Sequence, residues 1–401
     1  MNRGSRSKLS SLALGTIIAV AMVEFLLRGA SITNSDGAIF LFKAPCLPLQ
    51  IPTHSVEEAL RRYHDDPSLV LRYDSTLGWA PRPGGVSSDG LYRYDAVGAR
   101  APETPHPEQR EGHTISLFGD STMHGTGVPY GDTIGAYLEE NSVTTRSVRN
   151  FAVGAYGMDQ ALLRWRAVHT HSPSHVVVFG FQAENVKRNG SIFRAFYTYE
   201  SIDIPFSKPR FVLKEESLAP VNLPTIPPQE VVAALKGELN PLLRKHDFFY
   251  NPAWYADSVL YHSRFVAFSL AALFMNNRYS VAAREREIYD AQGELGTLAV
   301  AIMRVFRDEV EAAGAQFVVV HLPRRFAVSA SLEGAELPYS QLLDRVKSEF
   351  TVIDPLERLT QVARHDGAHS LYVDPWHYSG RGARVVASAI SESIIHSPAS
   401  L

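Results

Sequence analysis

Short, uninterrupted apolar runs constrain this chain more than any other feature. His175–Phe181 reads His-Val-Val-Val-Phe-Gly-Phe, and Gln316–Leu322 reads Gln-Phe-Val-Val-Val-His-Leu. Neither alternates apolar with polar residues, so neither suits a sheet with one wet face. β-branched runs of this kind fit strands covered on both faces, as in a parallel sheet between helical layers. Thr114–Phe118, Ser147–Val153 and the shorter Thr351–Asp354 complete the set. Helical patterns lie between and after them, at Thr133–Glu140, Asp159–His169, Leu295–Ala313, Leu342–Glu349 and Gly380–Ile395. Strands alternating with helices predict an α/β domain of three layers, α/β/α, around a mostly parallel five-stranded sheet.

The N-terminus carries a different signal. Arg3, Arg6 and Lys8 precede an apolar run from Leu9 to Leu27, interrupted by one charge, Glu24. A run of this length can cross the hydrocarbon layer as a helix. The basic flank leaves the N-terminus cytoplasmic and places the remainder outside. Arg28-Gly29-Ala30 is a poor cleavage pattern, so a retained signal anchor is expected over a cleaved signal peptide. Glu24, near the outer end, is expected at the interface. The organisation read from this is an anchor at 1–30, a linker and irregular layer at 31–110, and the main domain at 111–401. That domain carries a helical insertion at about 190–294, Pro-rich at first and then aromatic, expected either over the C-terminal ends of the strands as a lid or cleft wall or as a packing embellishment with no catalytic role. The balanced formal charge of −3 shows no basic face, so nucleic acid is not an expected partner. A lone cysteine, Cys46, excludes an internal disulfide framework and a multi-cysteine metal site.

Three segments with chemical potential each follow an expected strand. Gly119-Asp120-Ser121-Thr122-Met123-His124-Gly125-Thr126-Gly127 places a serine on a strand-to-helix turn, where its hydroxyl is exposed and its N–H faces a developing oxyanion. Asp120 suits tying the loop to backbone amides. Asn150-Phe151-Ala152-Val153-Gly154-Ala155 ends in a loop whose Gly154 or Ala155 N–H is a second candidate donor. Gln182-Ala183-Glu184-Asn185 offers the Asn185 amide as a third, with Asn189 as fallback. Near the C-terminus, Asp374-Pro375-Trp376-His377 can set a carboxylate and an imidazole on one side of a turn, with His377 as base for Ser121 and Asp374 fixing its tautomer. Asp354 is an alternative acid. His124 reads as a loop side chain in preference to a substrate contact, His365 and His369 as exposed loop histidines in preference to a metal pair, and Arg304, Arg324 and Arg325 as solvated charges in preference to an anion-binding set.

These blocks resemble the SGNH/GDSL hydrolase superfamily, over about residues 114–189 and 316–395. The match is Ser121 for the nucleophile, Gly154 or Ala155 for the backbone donor, Asn185 for the asparagine and Asp374 with His377 for the last block. Leu77-Gly78-Trp79 and Gly98-Ala99-Arg100 resemble the preamble of a bacterial membrane-anchored branch. The resemblance implies a flavodoxin-like fold and a serine esterase requiring no metal or organic cofactor. Its substrate would be an extracytoplasmic ester, such as an O-acylated envelope glycan. An O-acyltransferase would use the same residues, and a non-catalytic scaffold or glycan-binding module would keep only the fold. Asn185 stands outside the usual Gly-x-Asn-Asp context, and Ala155 replaces the usual glycine.

Overall fold

The computed structural model describes residues 3–42, 44–104, 113–141, 145–197, 202–215, 217–237, 240–279 and 281–395. The boundary expected near residue 110 and the side chains of Arg3, Arg6 and Lys8 lie outside what is described. Five strands form the central sheet: β1 (His113–Phe118), β2 (Thr145–Asn150), β3 (Val176–Phe181), β4 (Gln316–His321) and β5 (Val352–Ile353). Their order is β5-β4-β3-β1-β2, and every pairing is parallel. This is the flavodoxin-like order, with its switch point between β1 and β3.

The apolar runs explain why the sheet is buried on both sides. Side chains of a strand alternate between faces. Val176, Val178, Val318 and Val320 enter one core with Ile115, Leu117 and the helices Ile134–Asn141 and Gly380–Ile395. Val177, Phe179, Phe317 and Val319 enter the other, against Met158–Val168 and Glu294–Ala312. All residues of β3 are buried. An uninterrupted apolar run is therefore two interleaved stripes, one for each core.

The second core is extended by elements outside the sheet. Val56, from helix Thr53–Asp65, joins it with Leu77 and Trp79 of the hairpin Leu71–Asp74/Gly78–Pro81. From the insertion come Phe211, Val231, Leu243 and Phe249. Where it is described, the insertion lies largely away from the strand ends: residues between Trp254 and Ala271 pack on Leu41, Cys46, Leu47 and Leu49, while Glu285 and Tyr289 of helix Val281–Tyr289 reach a cavity at the strand ends. It also holds an antiparallel hairpin, Arg210–Lys214 with Ser217–Val221, in text that read only as Pro-rich. Helices Arg325–Glu333 and Leu356–Asp366 were likewise not read from the sequence. The second buries only Leu359, Thr360 and Ala363, a single large apolar residue beside a polar and a small one. At the N-terminus, Ala13–Ala30 within helix Arg3–Ala30 is long and apolar enough to cross a membrane.

Candidate active site

The site assembles at the C-terminal ends of β1, β2 and β3. β1 runs into Gly119, whose φ of 151° a side chain rarely adopts. A Cβ there would stand 3.1 Å from the Met123 Cβ and 3.2 Å from the Gly180 carbonyl, so glycine lets the chain turn between strands. The short helix Ser121–His124 follows, stopped by Gly125 in the left-handed region at φ 79°. A Cβ on Gly125 would come within 2.7 Å of Thr133. Asp120 caps this helix by accepting from the Thr122 N–H at 2.9 Å. Its other oxygen accepts from Arg188 at 2.8 Å and from the Asn185 amide at 3.2 Å. Asp120 is fully buried and ties the nucleophile loop to the helix after β3, the tethering job its position suggested.

Ser121 and His377 meet across the fold. The Ser121 hydroxyl lies 2.9 Å from His377 Nε2, and His377 Nδ1 lies 2.7 Å from Asp374 Oδ2. With the proton on Nδ1 held by the carboxylate, Nε2 is free to accept from the serine. The loop bearing this pair is stiff. Asp374 Oδ1 accepts from the Trp376 N–H at 2.6 Å and the His377 N–H at 2.9 Å. The Val373 N–H donates to the His377 carbonyl at 3.0 Å, and the Ser379 N–H to the Leu371 carbonyl at 2.9 Å. Tyr372 and Tyr378 both donate their hydroxyls to the Pro323 carbonyl, anchoring the loop to the end of β4. Burial acts to raise the Asp374 carboxyl, but hydrogen bonds from His377 and the two backbone amides outweigh it and hold the group below its ordinary range.

The loop after β2 lies beside the serine. The Val153 N–H donates to the Gly119 carbonyl at 3.2 Å, which puts Gly154 and Ala155 next to the nucleophile turn. Both are half-buried, and neither N–H has a hydrogen-bond partner among the described residues; nor does the Ser121 N–H. Ala155 adopts φ 65°, a conformation that costs an alanine about 1 kcal/mol and that glycine takes freely.

Asn185 departs from its expected role as a donor facing the oxyanion. Its side chain is buried, with Nδ2 donating to Asp120 Oδ2 and to the Tyr156 carbonyl, and Oδ1 accepting from the Gln182 N–H. Asp120 and the Tyr156 carbonyl take both amide hydrogens, so the group braces the loops from behind. Asn189, the fallback, is buried and accepts from the Met158 N–H. Asp354 is not the acid of His377: it holds His321 Nδ1 at 2.8 Å and Lys347 at 2.7 Å. His124 is not in a loop but closes the short helix Ser121–His124. It is buried between Tyr92 and Tyr94, and burial and then the Arg100 charge push its pKa well down, keeping it neutral. His365 lies in the last turn of helix Leu356–Asp366, and His369 in the 3-10 turn beyond it.

Sequence reasoning missed the residues that buttress the two loops. Arg100 is buried and donates to the carbonyls of His124 at 2.7 Å and Val128 at 2.5 Å, and to that of Gly125. Trp79, fully buried, donates its indole N–H to the Gly154 carbonyl at 3.0 Å, and its own carbonyl accepts from the Tyr156 hydroxyl at 2.6 Å. Their signal was present in the Leu-Gly-Trp and Gly-Ala-Arg strings, but no local pattern states which carbonyl a distant side chain will hold.

A cavity of about 230 Å³ adjoins the Asp374–His377 loop, walled by Pro375, Trp376, Tyr289, Tyr339, Gln182 and Arg324. Arg324 is not a free solvated charge. It stacks on Trp376 with 4.1 Å to the ring centroid and pairs with Glu184 at 2.8 Å. Glu184 is driven down to about 2: burial opposes this, and the charges of Lys187, Arg324 and Arg188 prevail.

No protein-family model matches the chain, and no curated protein matches it. Solved structures do. A member of the lipolytic G-D-S-L family from Veillonella parvula DSM 2008 is 12% identical, with 71% of this chain and 99% of that one covered at a TM-score of 0.36. An acetylxylan esterase from Geobacillus stearothermophilus is 11% identical, with 72% and 97% covered at 0.37. A G-D-S-L family lipolytic protein from Desulfitobacterium hafniense DCB-2 is 10% identical, with 70% and 98% covered at 0.32. Residue roles in this chain rest on its own geometry.

Proposed function

We propose that this chain is a serine esterase acting by acyl transfer through Ser121. The observation that carries the reading is the continuous relay Ser121–His377–Asp374, with contacts of 2.9 Å and 2.7 Å. His377 takes the hydroxyl proton as Ser121 attacks the ester carbonyl. Asp374 stabilises the imidazolium that results. The N–H groups of Ser121 and of Gly154 or Ala155 receive the oxyanion, each such donor contributing about 3 kcal/mol to the transition state. His377 then gives its proton to the departing alcohol, and water, deprotonated by the same imidazole, releases the acyl group. An acceptor hydroxyl in place of water makes the same steps a transfer.

The cavity beside His377 is smaller than those that enclose drug-sized ligands, about 300 Å³ and upward. It suits one compact moiety, a short acyl chain or a single sugar ring against Trp376. With Ala13–Ala30 as an anchor and the domain outside, the substrate class supported best is an O-acylated extracytoplasmic glycan. The test is hydrolysis of short- and long-chain aryl esters and of acetylated oligosaccharides by the purified full chain. Turnover of short esters that vanishes in Ser121→Ala is expected. A folded wild-type chain inert towards every ester, with no acceptor hydroxyl restoring turnover, would overturn the reading in favour of a binding scaffold.

A further inference from the structure

Glu24 is the one acidic residue in the span Ala13–Ala30, and its carboxylate caps another helix. Oε1 accepts from the Arg264 N–H at 2.9 Å; Oε2 accepts from the Phe265 N–H at 3.1 Å and the Ser263 hydroxyl at 2.9 Å. The two N–H groups are end donors of helix Arg264–Tyr279, which have no carbonyl partner within that helix. One turn further, Arg28 pairs with Glu24 at 2.8 Å and donates to the His262 carbonyl at 2.5 Å. Leu27 packs with Ala267, Tyr261 and Phe268 in a small apolar cluster. The anchor and the insertion are joined by polar and apolar contacts together.

Helix Arg264–Tyr279 has no polar outer stripe along its described side chains. It buries Ala267 and Ala271, and turns Phe265, Ala272 and Leu273 outward. In the turn before it, Val259 and Leu260 are 77% and 58% exposed, and Leu273 is 74% exposed. A helix at the surface of a water-soluble domain carries polar residues on that side; an apolar outer side suits contact with lipid. The occupant is set by continuity with the span. Glu24 lies about 9 Å along the helix axis inside the outer end of the span at Ala30, so the helix it caps starts within the depth of about 5–10 Å at which interfacial helices bury their apolar face.

We infer that Val259–His262 and helix Arg264–Tyr279 rest in the extracytoplasmic interface of the bilayer that Ala13–Ala30 crosses. The domain is then clamped to the membrane at two places instead of hanging from a tether. This rests on the anchor reading and is independent of the ester chemistry.

The test uses the full chain in vesicles of phosphatidylethanolamine and phosphatidylglycerol. Single cysteines, Leu260→Cys and Leu273→Cys, are introduced with Cys46→Ala, labelled with nitrobenzoxadiazole and quenched by spin-labelled lipid. Ile18→Cys reports the anchor, and Glu311→Cys reports an exposed site on the flank of the sheet. Quenching at 260 and 273 at least twofold above that at 311 is expected. Quenching at 18 with values at 260 and 273 equal to that at 311 would overturn the inference. So would labels shielded from water yet untouched by the lipid quencher, a pattern that points to a second copy of the chain. An unquenched label at 18 would remove the anchor reading, and the inference with it. Glu24→Ala is expected to speed amide exchange at Arg264 and Phe265 at least tenfold with ester turnover unchanged; unaltered exchange there would deny the cap.

Discussion

Two His–Asp pairs lie in the domain, and they differ in what the second ring nitrogen faces. His377 holds Asp374 at 2.7 Å and turns Nε2 to Ser121, with its side chain 18% exposed. His321 holds Asp354 at 2.8 Å and turns Nε2 to the Tyr339 hydroxyl at 3.3 Å, with its side chain fully buried. Both carboxylates are held below their ordinary range, against burial, by the imidazole they contact; Lys347 adds to the effect at Asp354. An imidazole–carboxylate contact therefore does not define a catalytic pair. What sets His377 apart is a half-buried serine hydroxyl on its far nitrogen, beside backbone N–H groups without partners among the described residues.

Exchanging residues between the pairs should separate chemistry from stability. The largest effect is expected from Ser121→Ala or His377→Ala, each lowering kcat/KM by about 10⁴ or more. Tyr339→Phe, the counterpart on the other pair, is expected to change it by less than about tenfold, as read from initial rates on one short ester. Next in size, Asp374→Asn should lower kcat by roughly 10²–10⁴ with a small change in stability. Asp354→Asn should do the reverse, costing about 2 kcal/mol in urea denaturation at pH 7 while turnover persists.

The pH dependence of that loss has a definite sign. The Asp354 carboxyl is depressed in the folded chain, so its contribution is present above the unfolded carboxylate value of about 3.9 and fades as pH falls through the folded value. The stability gap between wild type and Asp354→Asn should shrink as acid is added below about pH 4. A gap constant with pH would mean that the carboxylate charge is not what matters.

Smaller effects should come from the buttress. Arg100→Met leaves three loop carbonyls without their shared donor and is expected to lower kcat by about 10-fold to 100-fold, mostly without changing KM. Ala155→Gly is the smallest: relief of the left-handed backbone should raise stability by up to about 1 kcal/mol with little change in rate. A loss of stability there would show that the methyl group packs usefully.

What was legible in the sequence follows from range. The centre of the sheet could be read because β3 and β4 carry contiguous Val-Val-Val runs, whereas β2, Thr145–Asn150, is polar and begins two residues before the expected Ser147. Ser121, Asp374 and His377 could be read because each sits in a short motif at a strand end or before the last helix. Asn185 was placed correctly just beyond β3, where the chain forms helix Ala183–Asn189, but its orientation is decided by competition. Asp120 and the Tyr156 carbonyl claim its hydrogens, and both come from other segments. Arg100 and Trp79 act on carbonyls 24 and 75 residues away, distances over which no periodicity carries information. The hairpin Arg210–Lys214/Ser217–Val221 was hidden because Pro220 sits inside a strand, a position open to proline only at an edge. Glu24 read as a flaw in a span because its partners, Ser263 to Phe265, lie in the insertion.

The most direct test of the relay is the mass of the intact chain after exposure to an alkyl fluorophosphonate. One adduct is expected, located by peptide mapping at Ser121. It should be absent in Ser121→Ala, at least about 10²-fold slower to form in His377→Ala, and undiminished in Tyr339→Phe. An adduct that maps elsewhere, or that forms at Ser121 just as fast without His377, would contradict the assignment of nucleophile and base.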